Sequence, residues 1–225
     1  LDNPQPVFNA YTKNAVAHAF QRDEVRKKVI PAYMGLIKQC DDQLGRLLDH
    51  LEATDQMKDT MIVLTSDHGD YLGDHWLGEK ELFHDPSVKV PLIIYDPRQQ
   101  ADSTRGTTCK ALVESIDLAA TFVEAAGGTV PDHILEGRSL RPWLHGFTPE
   151  HWRDFVISEY DYSATSVGAK LGLAPRDCRL FMVFDGRYKL MHAEGGLRPM
   201  LFDLLNDPHE FDDLAKGDGH AETLN

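Results

Sequence analysis

Apolar residues recur at helical spacing after Pro31, with charged and polar residues between them. The apolar positions are Tyr33, Leu36, Ile37, Cys40, Leu44, Leu47, Leu48 and Leu51. This pattern predicts a long amphipathic helix, and Pro31 suits its first turn, where a missing N–H is tolerated. Residues 1–22 are polar, and Pro4 and Pro6 predict an irregular loop there.

Two short apolar runs and a second helical pattern follow. Residues 61–65 (MIVLT) and 92–95 (LIIY) lack alternation, which predicts strands buried on both faces, as in a parallel sheet. The run SIDLAATFVEAAGG predicts a helix that is capped by Ser115 or Asp117 and stops at a Gly pair. The order of these elements predicts an α/β fold with a mostly parallel sheet flanked by helices.

Strand patterns dominate the chain after residue 148. The runs 155–160, 179–184 and 187–192 predict strands, and PMLFDL adds a further candidate. Asp185-Gly186 between two of these runs predicts a type I′ hairpin. We therefore expect two domains, 1–148 forming the α/β part and 149–225 forming a small antiparallel C-terminal subdomain.

Composition narrows the classes of partner. The formal net charge of −13 argues against a nucleic-acid partner, because phosphate contacts need an excess of Lys and Arg. No apolar run approaches the about 20 residues of a membrane span. Cys40, Cys109 and Cys178 are widely spaced, which indicates a reducing compartment, and we expect a cytoplasmic location. The chain begins without Met or a signal peptide pattern, so we expect its natural start to lie upstream.

The candidate chemistry lies in TSDHGDYLGDHWLGEK, which follows the first strand without a linker. Asp67 and His68 stand at the carboxyl end of that strand, where loops of α/β proteins bind ligands, and the pair suits a divalent metal. The alternative is a turn in which Asp67 caps backbone N–H groups and His68 faces solvent. Lys80 suits an anionic substrate, although an isolated lysine is more often a surface residue. His75 and His84 are further candidates.

Two acidic groups are weaker candidates for a metal site. Asp41 and Asp42 are adjacent, but both fall on the polar face of the predicted long helix, which favours solvation. The tail segment DLLNDPHEFDDLAKGD lacks the alternating ligands and central Gly of a calcium-binding loop, which favours turns.

Five segments of the chain carry a further signal, namely YMGLIKQCDDQLGRLLDHLE, TMIVLTSDHGDYLGDHWLGEK, VKVPLIIYDPR, SIDLAATFVEAAGG and RPMLFDLLNDPHEFDDLA. Together they resemble the sulfatase-type hydrolases of the alkaline phosphatase superfamily. Within that family the resemblance is greatest to the phosphonate monoester hydrolases, and it is carried by IPAYMGLIKQCDDQLGRLL and EYDYSATSVGAKLGLAPRDCRLFMVFDGRYKLMH. The resemblance implies an alkaline-phosphatase-like fold that hydrolyses small anionic esters and assembles as a homo-oligomer. It implies that Asp67 and His68 bind one divalent metal and that Lys80 contacts the transferred group. An imidazole ligand favours Mn, Fe or Zn over Ca.

The nucleophile of that family is missing from this sequence. The family uses a formylglycine made from Cys or Ser in a C/S-x-P-x-R motif, and none of the three cysteines lies in such a context. Two protein ligands are also fewer than a catalytic metal site generally needs. We therefore expect a C-terminal portion of an enzyme, inactive alone, whose nucleophile and remaining ligands lie elsewhere. The alternatives are a true sulfatase and a non-catalytic domain that binds an anion or a partner chain.

Overall fold

Helices predominate early in the chain and strands predominate late in it. A computed structural model describes residues 3–131 and 133–216. Within these ranges the helices are α1 (Pro6–Tyr11), α2 (Ala15–Phe20), α3 (Asp23–Ala53), α4 (Asp85–Val88), α5 (Ile116–Ala125), α6 (Arg141–Leu144) and α7 (Ser166–Lys170). The strands are β1 (Ile62–Thr65), β2 (Leu92–Tyr95), β3 (Val156–Asp161), β4 (Arg179–Phe184), β5 (Tyr188–Ala193) and β6 (Met200–Asp203).

The N-terminal loop predicted over residues 1–22 is wrong for its described part, which forms α1 and α2. The side chains of Gln5 and Asn14 cap these helices by accepting hydrogen bonds from backbone N–H groups of the first turn. Helix α3 begins at Asp23, so Pro31 lies inside a helix of 31 residues and not in its first turn. Such a long helix tolerates the single lost hydrogen bond, at a cost of roughly 3 kcal/mol.

The described residues divide into two compact units that interleave along the chain. The first unit comprises residues 3–33, 68–90 and 154–216, and the second comprises 34–67, 91–131 and 133–153. The predicted division into 1–148 and 149–225 stays a prediction. The end of the acidic tail, beyond residue 216, lies outside the described residues.

The first unit contains a four-stranded antiparallel sheet in the order β3-β4-β5-β6, as the strand pattern predicts. The register pairs Phe184 with Lys189, so the hairpin turn centres on Gly186 and Arg187, one residue later than predicted. Of these two residues only Gly186 has a positive φ, of 96°, which excludes the predicted type I′ turn. One face of the sheet packs with α1 and the 71–83 segment in a shared apolar core, which includes Tyr11, Tyr71 and Met182.

The second unit contains β1 and β2 as an antiparallel pair, with Ile62 opposite Tyr95 and Thr65 opposite Leu92. The parallel pairing predicted for these two strands is therefore wrong. Burial on both faces is also wrong within the described residues, because Leu64 is 40% exposed and Ile93 is 62% exposed. An apolar run without alternation predicts a strand, but it determines neither the direction of the strand nor which of its faces are buried.

Helix α5 confirms the second helical pattern, but its predicted cap does not form. Ser115 occupies the N-cap position without a side-chain hydrogen bond. Asp117 is instead fully buried and accepts hydrogen bonds from the backbone N–H groups of Glu114 and Arg138, each at 2.8 Å. Arg153 donates to both of its carboxylate oxygens, so Asp117 connects three segments of the second unit.

All three cysteines lie in the described part of the chain. Cys40, Cys109 and Cys178 are all free thiols, and only Cys178 is buried. Among the described residues, no helix combines the length and apolar character needed to cross a membrane.

Candidate active site

Asp67 and His68 follow β1 through Ser66, at the carboxyl end of the strand. Asp67 is an exposed residue of the second unit, and its carboxylate lies 3.5 Å from the hydroxyl of Ser66. His68 opens a segment of the first unit. The convergence of the Asp67 and His68 side chains stays a prediction.

The structure brings His68 and Lys80 together within the first unit. The Lys80 ammonium nitrogen lies 3.0 Å from Nε2 of His68, and Nδ1 of His68 lies 2.8 Å from the carbonyl oxygen of Gly69. Because a carbonyl oxygen only accepts and an ammonium group only donates, Nδ1 carries the ring proton and Nε2 accepts from Lys80. Lys80 is an exposed residue, so its predicted orientation into a cleft stays a prediction.

The backbone next to His68 lies very close to the backbone of α4. The N–H of Gly69 donates to the carbonyl oxygen of Ser87 at 2.7 Å. A Cβ at position 69 would overlap the carbonyl oxygen of Pro86, so only glycine permits this approach. The glycine after His68 therefore allows this part of the chain to pack closely against α4.

The loop between His68 and Lys80, together with the residues that follow, contains an unusual number of left-handed residues. Five non-glycine residues have φ between 49° and 77°, namely Leu72, His75, Trp76, Glu79 and Leu82. Each such conformation costs roughly 1 kcal/mol or more and persists only where the surroundings enforce it. Buried side chains of the same segment supply that constraint, among them Tyr71, Leu77 and Phe83.

His75 and His84 form part of this packing. Their rings stack with centroids 4.0 Å apart, and both residues are buried. His84 Nδ1 lies 2.9 Å from the hydroxyl of Tyr71. Burial lowers the pKa of His75 to about 4 and holds the pKa of His84 well below its usual value. Both imidazoles are thus neutral at pH 7, and they support the loop.

A buried charge cluster next to α4 carries no clear sequence signal. The ammonium group of Lys189, on β5, lies 2.5 Å from Asp85 and 2.8 Å from Glu210. Glu210 also accepts the backbone N–H of Asp85 at 2.6 Å. Burial opposes ionisation of Asp85, but Lys189 and Lys89 hold its pKa below the usual value, whereas burial raises the pKa of Glu210. The cluster ties the first turn of α4 to the sheet.

The donor set fits a divalent metal only in part. The carbonyl oxygen of Gly69 orients the imidazole ring of His68, as is common for metal-binding imidazoles, but Nε2 accepts from the Lys80 ammonium group, which a metal ion at Nε2 would displace. Within residues 3–131 and 133–216, no three His, Cys, Asp or Glu side chains gather into a group able to hold a metal ion. Asp42 pairs with Lys38 on the exposed face of α3, as expected for a solvated face.

Comparisons with known proteins place these features in a family. A model described as sulfatase matches residues 3–128, and one described as N-sulphoglucosamine sulphohydrolase, C-terminal, matches residues 73–225. The multifunctional alkaline phosphatase superfamily protein PehA of Trinickia caryophylli is 38% identical over 84% of this chain and 37% of its own length. The N-acetylglucosamine-6-O-sulfatase of Bacteroides thetaiotaomicron is 32% identical over 81% of this chain and 31% of its own length.

A solved structure extends the likeness to the fold. The phosphonate monoester hydrolase of Silicibacter pomeroyi matches with a TM-score of 0.89 and 33% identity, over 98% of this chain and 45% of that protein. This match confirms the alkaline-phosphatase-like α/β fold class, despite the antiparallel pairing of β1 and β2. The chain spans less than half the length of each of these proteins. It belongs to the sulfatase family of the alkaline phosphatase superfamily.

Proposed function

We propose that this chain carries part of the active site of a metal-dependent hydrolase of phosphonate monoesters and phosphate diesters, which also accepts some sulfate esters. The observation that carries the proposal is the Lys80 ammonium group 3.0 Å from Nε2 of His68, directly after Asp67 in the chain. A positively charged side chain next to an imidazole that could bind a metal is a suitable binding site for an anionic ester. The formylglycine nucleophile and the remaining ligands would lie outside these 225 residues.

Each residue has a role that follows from its chemistry. Asp67 and His68 would hold one divalent ion, and Mn, Fe or Zn suits the imidazole better than Ca. When bound, such an ion polarises the nucleophile and an oxygen of the ester. Gly69 fixes the orientation of His68 through its carbonyl oxygen. Lys80 would place its positive charge beside the oxygens on which negative charge develops, where electrostatic stabilisation is largest.

A sulfatase is the second candidate, favoured by the sulfatase model and the 32% identity to an N-acetylglucosamine-6-O-sulfatase. The two activities are separated by measuring kcat/KM of the full-length protein on an aryl sulfate and on a phosphonate monoester. We expect the higher value for the phosphonate. A non-catalytic domain that binds an anion or a partner chain is the third candidate, and it predicts no turnover of either ester.

The role of Lys80 is tested in the full-length protein with the substitution Lys80→Ala. Loss of a charge contact made in the transition state should lower kcat/KM by roughly 100-fold or more. Metal content should stay unchanged, because Lys80 is not proposed as a ligand. The control is Lys89→Ala, which removes another exposed lysine of the first unit. A normal rate for Lys80→Ala would contradict the proposal.

The remaining expectations concern the surroundings of the enzyme. We propose a small anionic ester as the substrate, with neither nucleic acid nor membrane as a partner, and a homo-oligomer in the cytoplasm. Light scattering on the full-length protein tests the assembly, and cell fractionation tests the location.

A further inference from the structure

Ser87 connects the two stretches of chain that carry His68 and Lys80. The residue lies in α4 and is 2% exposed. Its backbone carbonyl oxygen accepts the N–H of Gly69 at 2.7 Å, and its hydroxyl donates to the backbone carbonyl oxygen of Lys80. The backbone of Ser87 thus holds the chain next to His68, and its side chain holds the backbone of Lys80.

The backbone of Ser87 is itself held in place by α4 and its neighbours. The N–H of Ser87 donates to the carbonyl oxygen of His84 at 2.9 Å within the α4 turn. The preceding Asp85 is tied to Glu210 and to the buried Lys189. The Ser87 hydroxyl therefore projects from a helix turn that is anchored to the sheet.

Lys80 needs such an anchor because it lies outside helix and strand. It follows Glu79, which has a left-handed φ of 61°, and its own N–H makes a long contact of 3.3 Å with the side chain of Glu81. The hydroxyl of Ser87 supplies the hydrogen bond that regular structure would otherwise provide. The direction of the Lys80 side chain depends on where this backbone is held.

We propose that Ser87 is a positioning residue, whose hydroxyl fixes the backbone of Lys80 so that the ammonium group stays close to the His68 ring and within reach of the oxygens of a bound ester. The inference rests on the proposed function for the role of Lys80 itself. A displacement of about 1 Å in a catalytic group can reduce a rate by up to 100-fold. Ser87→Ala removes the hydrogen bond to Lys80 but keeps the one from Gly69, which uses only the backbone.

The test compares Ser87→Ala, Lys80→Ala and the double variant in the full-length protein. We expect Ser87→Ala to lower kcat about tenfold while KM and metal content stay unchanged. Because Ser87 acts through Lys80, the double variant should be no slower than Lys80→Ala. Ser87→Cys keeps a weak donor of similar size and should give an intermediate kcat.

The matched control is Thr121→Val, which deletes another buried hydroxyl. Thr121 donates to the carbonyl oxygen of Asp117 at 2.7 Å and accepts the N–H of Leu140 at 2.8 Å, within the second unit. This variant should lower Tm by at least as much as Ser87→Ala and leave kcat unchanged.

Three results would overturn the inference. A normal kcat for Ser87→Ala, with a slow Lys80→Ala, removes the role of Ser87 and leaves the proposed function intact. Multiplying effects in the double variant would show that Ser87 acts independently of Lys80. A normal rate for Lys80→Ala would remove both the proposed function and the positioning role.

Discussion

The two units use their apolar residues differently. In the first unit, aromatic and sulfur-containing side chains such as Tyr71, Met182 and Phe202 are buried in one core that supports the loop carrying Lys80. In the second unit, Ile93 of β2 and Leu36 of α3 are 62% and 60% exposed. Most of the buried apolar residues among those described thus lie in the first unit, where they form one cluster. The geometry of His68 and Lys80 depends on that cluster.

The largest expected effect tests whether buried charges hold the first unit together. Lys189→Met leaves the buried Glu210 without its cation and leaves the half-buried Asp85 with only the exposed Lys89, so we expect the free energy of unfolding to fall by about 3–5 kcal/mol. Urea denaturation measures the change. The control is Lys89→Met, which removes a largely exposed partner of the same Asp85 and should cost no more than about 1 kcal/mol. Equal effects would contradict the contrast between buried and exposed pairs.

The next effect compares two glycines, one in each unit. Gly69→Ala forces a methyl group against the carbonyl oxygen of Pro86 and should destabilise the protein by about 1–3 kcal/mol. Gly45→Ala lies in α3 with open space around it, and it should stabilise the protein by about 1 kcal/mol through helix propensity. Melting temperatures of the two variants should therefore shift in opposite directions. A shift in the same direction would remove the packing difference between the two sites.

The third effect is a dependence of stability on pH. Burial lowers the pKa of His75 from 6.5 to about 4, so the unfolded chain binds more protons than the folded one between these values. Stability contributed by the neutral ring is complete above about pH 7 and is lost as the pH falls towards 4. Tm should fall less steeply with decreasing pH in His75→Gln than in the wild type. His50→Gln, at an exposed position, should keep the wild-type slope.

Sequence patterns predicted the elements that local chemistry determines. The bounds of β2 and β4 are as predicted, because turn residues or prolines flank each apolar run. Helices α1 and α2 have only 6 residues each, too few to show a helical period, and buried side chains such as Tyr11 hold them in place. The antiparallel pairing of β1 and β2 depends on long-range topology, which a single apolar run does not encode.

The candidate site was predictable as residue types and not as a network. Asp67, His68 and Lys80 stood out by their side chains and by family resemblance. Lys189 lies within a predicted strand and Glu210 lies in an acidic tail whose pattern favours turns, yet the two form a buried ion pair. The burial of a charged residue can be predicted only when its partner is known, and these partners are far apart in sequence. The sequence gives no signal for Ser87 either, because the role of Ser87 depends on which backbone groups lie near it in the fold.

The left-handed residues between Leu72 and Leu82 limit how this site can be transferred to another protein. A synthetic peptide of residues 67–87 would carry every side chain of the motif, but it would relax to ordinary backbone conformations because no core would hold Leu72 and Leu82 in theirs. A designer who grafts the motif onto another scaffold must also supply pockets for Tyr71, Leu77 and Phe83. The unit that can be transferred is therefore the loop together with the apolar pockets that its buried side chains occupy.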